Sequence, residues 1–415
     1  MRGSVVRRTD SKGRARYYVV VDETADGKRR RRWHSDPATG SAFTTRRAAD
    51  EYCASLVVAT GQGTYVTPSH LTTGQWLTRW LDAATDRLRP STWASYEKNL
   101  RVHVLPTLAD VPLQQLTTHH LDELYARLRR EGRATTRGKG EGLSPRTVRY
   151  VHTIVRAALK DAARKGLVVR NVADQATPPA ARQPGGGMAT WTAPELARFV
   201  AGTTDHPLHP VLVLLAMTGM RRGEALGLRW SDVDLDRGRV YVSRTVGKVA
   251  GRVVEGDTKT AAGRRSVALD PQLVELLDQH FQHQAAERDL VGVGYVDRGL
   301  VFASPTGDYL YPEGVSRVFK DLSRELGLPV IRLHDLRHTW ATLALQAGVH
   351  PKVVQERLGH STVTVTLQTY SHVLPAMHDE AAATVANLVR AAADPTVTPL
   401  RAVAGRRSGS ARAAQ

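Results

Sequence analysis

One stretch limits what this chain can fold into: residues 175–192, QATPPAARQPGGGMATWT, which no helix or strand can run through. Prolines remove backbone donors and glycines leave the backbone unrestrained, so the segment parts the N-terminal half of the chain from the C-terminal half. The 415 residues are therefore expected to form several domains, each with its own core. The two sides differ in charge. Residues 1–66 hold 13 Lys and Arg against 7 Asp and Glu, and residues 67–185 hold 19 against 10. Residues 186–415 are nearly balanced, 26 against 23. A net charge of +18 carried mostly by the N-terminal segments points to a polyanionic partner. No apolar run is long enough to span a bilayer, and the start, MRGSVVRRTD, lacks the apolar stretch of a secretion signal. The single cysteine, Cys53, excludes an intramolecular disulfide framework and fits a reducing cytosol. A cytoplasmic, nucleoid-associated protein with no membrane partner is expected.

Within residues 1–66, RYYVVVD (16–22) and KRRRRWH (28–34) flank a turn at Ala25-Asp26-Gly27 and read as a hairpin. A helix over 46–59 comes next, capped by Thr44-Thr45. A basic ribbon carrying Arg29, Arg30, Arg31 and Arg32 could enter a DNA groove, or could equally be a solvated hairpin. Residues 67–180 read as an all-α bundle. Its stripes are Trp76, Leu77, Trp80 and Leu81, then Trp93, Tyr96 and Leu100, then Leu121, Leu124, Tyr125 and Leu128. Ser144-Pro145 opens a fourth helix with Val148, Val151, Ile154, Val155, Ala158 and Leu159 inside, and Arg146, Arg149, Arg156 and Lys160 on other faces. After a linker at 181–192, residues 193–395 read as a mainly α domain with a small antiparallel sheet. Strands are expected at 239–246, 252–255 and 264–269, the last two as the arms of one hairpin. Helices are expected near 208–217, 271–288, 312–326, 334–347, 351–358 and 362–370. Residues 396–415 read as a basic disordered tail.

Four places in the last domain carry candidate chemistry. TGMRRGEALGLRWSD (218–232) sets Arg221 and Glu224 one turn apart, where the acid can hold the guanidinium. Lys259 lies in the polar stretch GDTKTAAGRRSVAL (256–269), expected as a hairpin turn. HDLRH (334–338) places His334 and Arg337 on one helix face. The His334/His338 spacing would also suit a metal, but Asp335 stands where a zinc protease has Glu, Arg337 would repel the ion, and no further ligand cluster is present, so His338 is expected to pack or hydrogen-bond within the domain. LGHSTVTVTLQTY (358–370) runs from a turn through His360 to Tyr370. Together these residues suit phosphodiester substitution. Arginine forks match phosphate oxygens, and a tyrosine hydroxyl can form a reversible phosphotyrosyl bond. Nearby guanidinium charge is expected to lower the Tyr370 pKa, with His334 as proton acceptor and Lys259 as proton donor to the leaving oxygen.

These motifs, in order and spacing, resemble the tyrosine recombinase (phage integrase) family. The resemblance implies a catalytic set of Arg221, Lys259, His334, Arg337, His360 and the nucleophile Tyr370, with Glu224 in support. It implies an arm-type DNA-binding domain of three strands plus a helix at 1–66, a core-binding domain at 67–180 and the catalytic domain beyond. It further implies double-stranded DNA attachment sites, a homotetramer on DNA, a Holliday junction intermediate, and neither metal nor cofactor. A DNA-bending accessory protein and an excisionase are possible partners. A type IB topoisomerase-like enzyme shares the chemistry without synapsis, and a non-catalytic DNA-binding regulator would use the basic modules alone. A metal-dependent nuclease lacks the clustered acids it would need.

Overall fold

The computed structural model describes residues 3–370 apart from 26–27, 38, 63–64, 133–140, 181–188, 250 and 258–262, together with a few residues between 385 and 390. The chain divides into two compact units, 1–183 and 184–415, and the division falls inside the proline- and glycine-rich stretch.

The first unit opens with a three-stranded antiparallel sheet, β1 (Gly3–Thr9), β2 (Ala15–Ala25) and β3 (Lys28–His34), in that spatial order. Helix α1 (Arg46–Gly61) covers one face, and Val19, Val21, Phe43, Ala49 and Leu56 form the core between them. Alternation along the strand then decides where β3 points its side chains. His34 is buried beside the rings of Tyr52 and Tyr65, so Arg32 shares the helix side while Arg31 and Trp33 take the opposite face. There the Arg8 guanidinium lies 4.4 Å from the Trp33 ring centroid. Of the basic run Arg29–Arg32, then, Arg31 is on the open face. Arg29 and Arg30 are described as strand backbone alone.

A helical bundle comes after it: α2 (Thr73–Asp82), α3 (Pro90–Asn99), α4 (Leu105–Leu108), α5 (Thr118–Glu131) and α6 (Pro145–Arg164). Between α3 and α4 the helix loosens into a π turn, Leu100–Val104. Pro106, just beyond it, has no N–H to donate and crowds the preceding turn, which favours the wider winding there. Helix α6 starts where the capping pattern requires, with the Ser144 side chain accepting from the Thr147 N–H and Pro145 at the first turn. Its predicted apolar stripe is fully buried, and the Trp76 indole N–H of α2 donates to the Ala158 carbonyl at 3.0 Å. Arg146 and Arg149 lie exposed on the far side, Arg149 donating to the Pro179 carbonyl.

The second unit begins with α7 (Ala193–Gly202), capped by a Thr192/Glu195 box, then α8 (His209–Thr218) and α9 (Arg222–Leu226). Helix α8, HPVLVLLAMT, is apolar on every side and runs through the core. Next come the strands β4 (Val233–Asp234), β5 (Arg239–Val242), β6 (Arg244–Val249), β7 (Arg252–Asp257) and β8 (Arg265–Ala268). They form two sheets, β4-β5-β8 and β6-β7. This corrects the expected hairpin between 252–255 and 264–269. Arm β7 pairs with β6, with Val249 opposite Arg252, while β8 pairs with β5. The reason is local: Gly251, at φ 86°, supplies the positive φ of the tight turn that joins β6 to β7, while the expected strand 239–246 is itself interrupted at Ser243, between β5 and β6. Lys259 therefore falls on the connection from β7 to β8, and it lies outside the described residues. Then follow α10 (Pro271–Val291), α11 (Pro312–Glu325), α12 (Asp335–Gln346), α13 (Pro351–Leu358) and α14 (Val363–Thr369). The expected tail, 396–415, also lies outside the described residues.

Candidate active site

The site is assembled where α8, α9, α12 and α13 end or begin. Helix α8 stops at Gly219, whose φ of 67° is the left-handed conformation that closes a helix. The chain then turns directly into α9, with Arg221 at its N-cap. Glu224, 4% exposed, closes this turn: it accepts from the Arg221 backbone N–H at 2.9 Å and from Arg221 Nη1 at 2.7 Å. Arg265, on β8, reaches the same carboxylate with Nη2 at 2.8 Å and Nη1 at 3.2 Å. Burial works to raise the Glu224 pKa, but hydrogen bonds and charge from Arg265, then the charge of Arg221, hold it below the usual range.

Helix α13 ends on Gly359, also left-handed at φ 66°. The three carbonyls at this end each receive one arginine. Arg265 Nε donates to Arg357 O at 2.6 Å, Arg337 Nη2 to Leu358 O at 2.6 Å, and Arg221 Nη2 makes a longer contact of 3.4 Å to Gly359 O. A helix C-terminus leaves its last carbonyls unpaired and carries partial negative charge, so it is a natural dock for cations. Arg337 is 3% exposed, and its Nη1 donates to Gly219 O at 2.9 Å. Its fork thus ties the end of α8 to the end of α13. Burial, and then the charge of Arg221, push the Arg337 pKa down to about 9. An arriving anion would relieve that strain between cations.

His360 comes directly after the α13 cap, and its Nδ1 lies 2.8 Å from Thr366 Oγ1. Burial, then Arg337 and Arg221, hold its pKa well below the ordinary histidine value. His334 at the head of α12 is lowered in the same way by burial, His338 and Arg337. Both rings are neutral at pH 7, and the positive charge of the site resides in its arginines. Beside them opens a cleft of about 910 Å³ whose wall carries Arg221, Arg222, Lys320, Arg332 and His334 against one carboxylate, Asp335, among apolar side chains, so its charge is net positive.

Tyr370 ends α14 with its ring fully buried among Ala341, Leu345, Val354 and Leu358. Its hydroxyl lies 2.9 Å from His338 Nδ1. Burial pushes its pKa up to about 12, and the opposing effect of Arg337 is the smaller. Two expectations need correction here. Guanidinium charge does not lower the Tyr370 pKa in this arrangement, because desolvation outweighs it. The histidine on the hydroxyl is His338, with His334 one ring further away at a centroid separation of 5.3 Å. His338 hydrogen-bonds within the domain, as expected once the metal reading of its spacing was set aside.

Residues 193–377 match the model of the phage integrase family, and residues 72–129 match that of the phage integrase N-terminal SAM-like domain. The chain belongs to the phage integrase family, the tyrosine recombinases. Among curated relatives, this tyrosine recombinase is 24% identical over 338 residues to a "tyrosine recombinase XerC-like" protein of Caldanaerobacter subterraneus subsp. tengcongensis, covering 77% of this chain and 83% of the relative. It is 29% identical over 280 residues to an integrase of Streptomyces ambofaciens, covering 65% and 68%. Among solved structures it resembles the Tn1549 transposon integrase in complex with transposon right end DNA, with a TM-score of 0.62 at 19% identity over 75% of this chain and 99% of that one. A lambda integrase tetramer bound to a Holliday junction matches with a TM-score of 0.52 at 20% identity, over 86% and 96%. At these identities the structural likeness establishes the fold.

Of the expected site residues in this recombinase, Arg221, Glu224, His334, Arg337 and His360 come together, with Tyr370 adjoining under cover. Lys259 lies outside the described residues. Sequence reasoning missed Arg265 as a member of the site and His338 as the partner of Tyr370. Arg265 had a legible signal: two residues before the buried Val267 on a strand, it shares that inward face, and a buried guanidinium needs a partner. Gly219 offers a direct test of the frame. A Cβ there would stand 2.8 Å from Leu358 Cδ2, on a backbone already at φ 67°. Gly219→Ala should destabilise the domain by about 1–3 kcal/mol and slow DNA cleavage more than it weakens DNA binding. Wild-type cleavage by this variant would mean that the α8–α13 contact does not set the position of Arg337.

Proposed function

We propose that the chain is a site-specific DNA recombinase, an integrase of a phage or integrative mobile element. It would cut and rejoin DNA strands at attachment sites through a 3′-phosphotyrosine link. The observation that carries this reading is the convergence of Arg221 and Arg337 on the end of α13, beside neutral His334 and His360 and next to Tyr370. Two guanidiniums placed in advance can stabilise the charge that builds on nonbridging oxygens as phosphorus becomes pentacoordinate. Tyr370 Oη attacks phosphorus, and the bond to the 5′ oxygen breaks. His338 Nδ1, already on the hydroxyl, accepts the phenolic proton, and Lys259 protonates the departing 5′ oxygen. The product keeps the phosphoester energy, so a second 5′ hydroxyl can reverse the step on a new strand. Because the Tyr370 ring is fully covered, the end of α14 must shift before a scissile phosphate can meet its hydroxyl.

The same reading assigns residues 1–66 to arm-type sites and 67–180 to the core site. Arg31 on the open sheet face and Arg146 and Arg149 on α6 would be phosphate contacts. The related integrases solved on core sites, and as a tetramer on a Holliday junction, support a homotetramer on two duplexes. A cytoplasmic location accords with that partner. The deciding experiment is a suicide-substrate assay. Nicked duplexes drawn from the ends of the encoding element are incubated with the protein, and covalent adducts are mapped by mass spectrometry. The expected adduct is on Tyr370. Relaxation of supercoiled DNA with no exchange between two sites would favour the topoisomerase-like reading.

A further inference from the structure

The carboxylate of Glu224 is shared in an unusual way. Oε1 accepts from Arg221 Nη1 and Arg265 Nη1, and Oε2 accepts from the Arg221 backbone N–H and Arg265 Nη2. An ionised carboxylate offers about four lone-pair sites, and all are taken here. Arg221 consequently spends one side-chain N–H on Glu224 rather than two. Its side chain stays 41% exposed toward the cleft, whereas that of Arg265 is 7% exposed and faces inward. We propose that Arg265 is a positioning residue for strand cleavage. By occupying one side of Glu224, it keeps that acid from gripping Arg221 in a two-pronged pair and leaves Arg221 donors for the scissile phosphate. The inference rests on the reading of Arg221 as a phosphate-binding catalytic group.

The physical argument is competitive. Glu224 is nearly sealed from water, so lone pairs vacated by Arg265 cannot be filled by bulk solvent. The next donor in reach is Arg221, which is tethered to the same acid through its own backbone N–H. A guanidinium fork prefers a bidentate carboxylate to a single contact, so Arg221 would fold back onto Glu224 and away from the cleft. Arg265 also donates to Arg357 O, beside the carbonyls that receive Arg337 and Arg221. It therefore fixes the separation between Glu224 on α9 and the end of α13, the two supports of Arg221. A lysine keeps the charge of Arg265 but cannot present two parallel donors to Glu224 and a third, in the same plane, to Arg357 O.

The test uses the full chain carrying Arg265→Gln or Arg265→Lys. Single-turnover cleavage is measured on two suicide duplexes, one with an ordinary scissile phosphodiester and one with a neutral methylphosphonate there. Duplex binding and thermal unfolding are measured alongside. The expected result is loss of diester cleavage on the order of 10²-fold for Arg265→Gln, a smaller loss for Arg265→Lys, and unchanged binding. On the methylphosphonate, which lacks the charge that Arg221 would meet, the gap to wild type should close. Wild-type diester cleavage in both variants, or an equal loss on both substrates, overturns the assignment. If Arg265→Gln does not unfold cooperatively, Arg265→Lys decides by the same comparison. Absence of any adduct from the wild-type chain overturns the recombinase reading, and this assignment with it.

Discussion

Tyr370→Phe should yield no covalent protein–DNA adduct while core-site binding persists. The ring is fully buried, so phenylalanine can fill the same space among Leu345, Val354 and Leu358. What is lost is the hydroxyl, and with it the only atom of this side chain that can bond to phosphorus. Removing a nucleophile lowers turnover by roughly 10⁴-fold or more in enzymes that use one, which here means no band above background on a denaturing gel. A second effect distinguishes this site from a freely exposed tyrosine. His338 Nδ1 loses its partner at 2.9 Å, which should cost about 1 kcal/mol of stability. Adduct formation at normal yield would refute Tyr370 as nucleophile. Loss of adduct with no change in melting temperature would mean that the His338 contact contributes nothing in solution.

Arg337→Lys should also damage cleavage severely, although it preserves the charge. Arg337 is almost fully buried, and its fork bridges Gly219 O and Leu358 O. An ammonium at the end of a flexible stem cannot make both bonds and still face a phosphate. Losing one preorganised donor to a developing anion raises the barrier by about 2.7–4 kcal/mol, so cleavage should fall by about 10²–10³-fold. One buried carbonyl would also be left unpaired, at a cost of about 1–3 kcal/mol in stability. Single-turnover cleavage and thermal unfolding of the same preparation separate the two effects. A lowered melting temperature with undiminished cleavage would reduce Arg337 to a structural clamp.

Much of this was legible in the order of residues. The apolar stripe of α6, the caps at Ser144 and Thr192, and the glycine that closes α8 before Arg221 are local patterns. They are set by helical periodicity and by the few residues that tolerate a helix end. The spacing of Arg221 and Glu224 foretold their pairing for the same reason, since three residues make about one turn. Strand partners were less legible. The segment at β7 looks alike whether it pairs with β6 or β8, and a single glycine, Gly251, favoured β6.

By itself the order of residues determined which chemical groups are available and which family carries them. Spacing along one chain is kept in any fold that keeps its helices and turns. Tertiary structure decided who touches whom across long separations: Arg265 with Glu224, 41 residues apart, Arg337 with Gly219, 118 apart, and Tyr370 with His338, 32 apart. It also decided that Tyr370 is covered. Burial and charge pairing depend on how whole helices close on one another, and the entropy and desolvation that govern this closure are not written in any short stretch of residues.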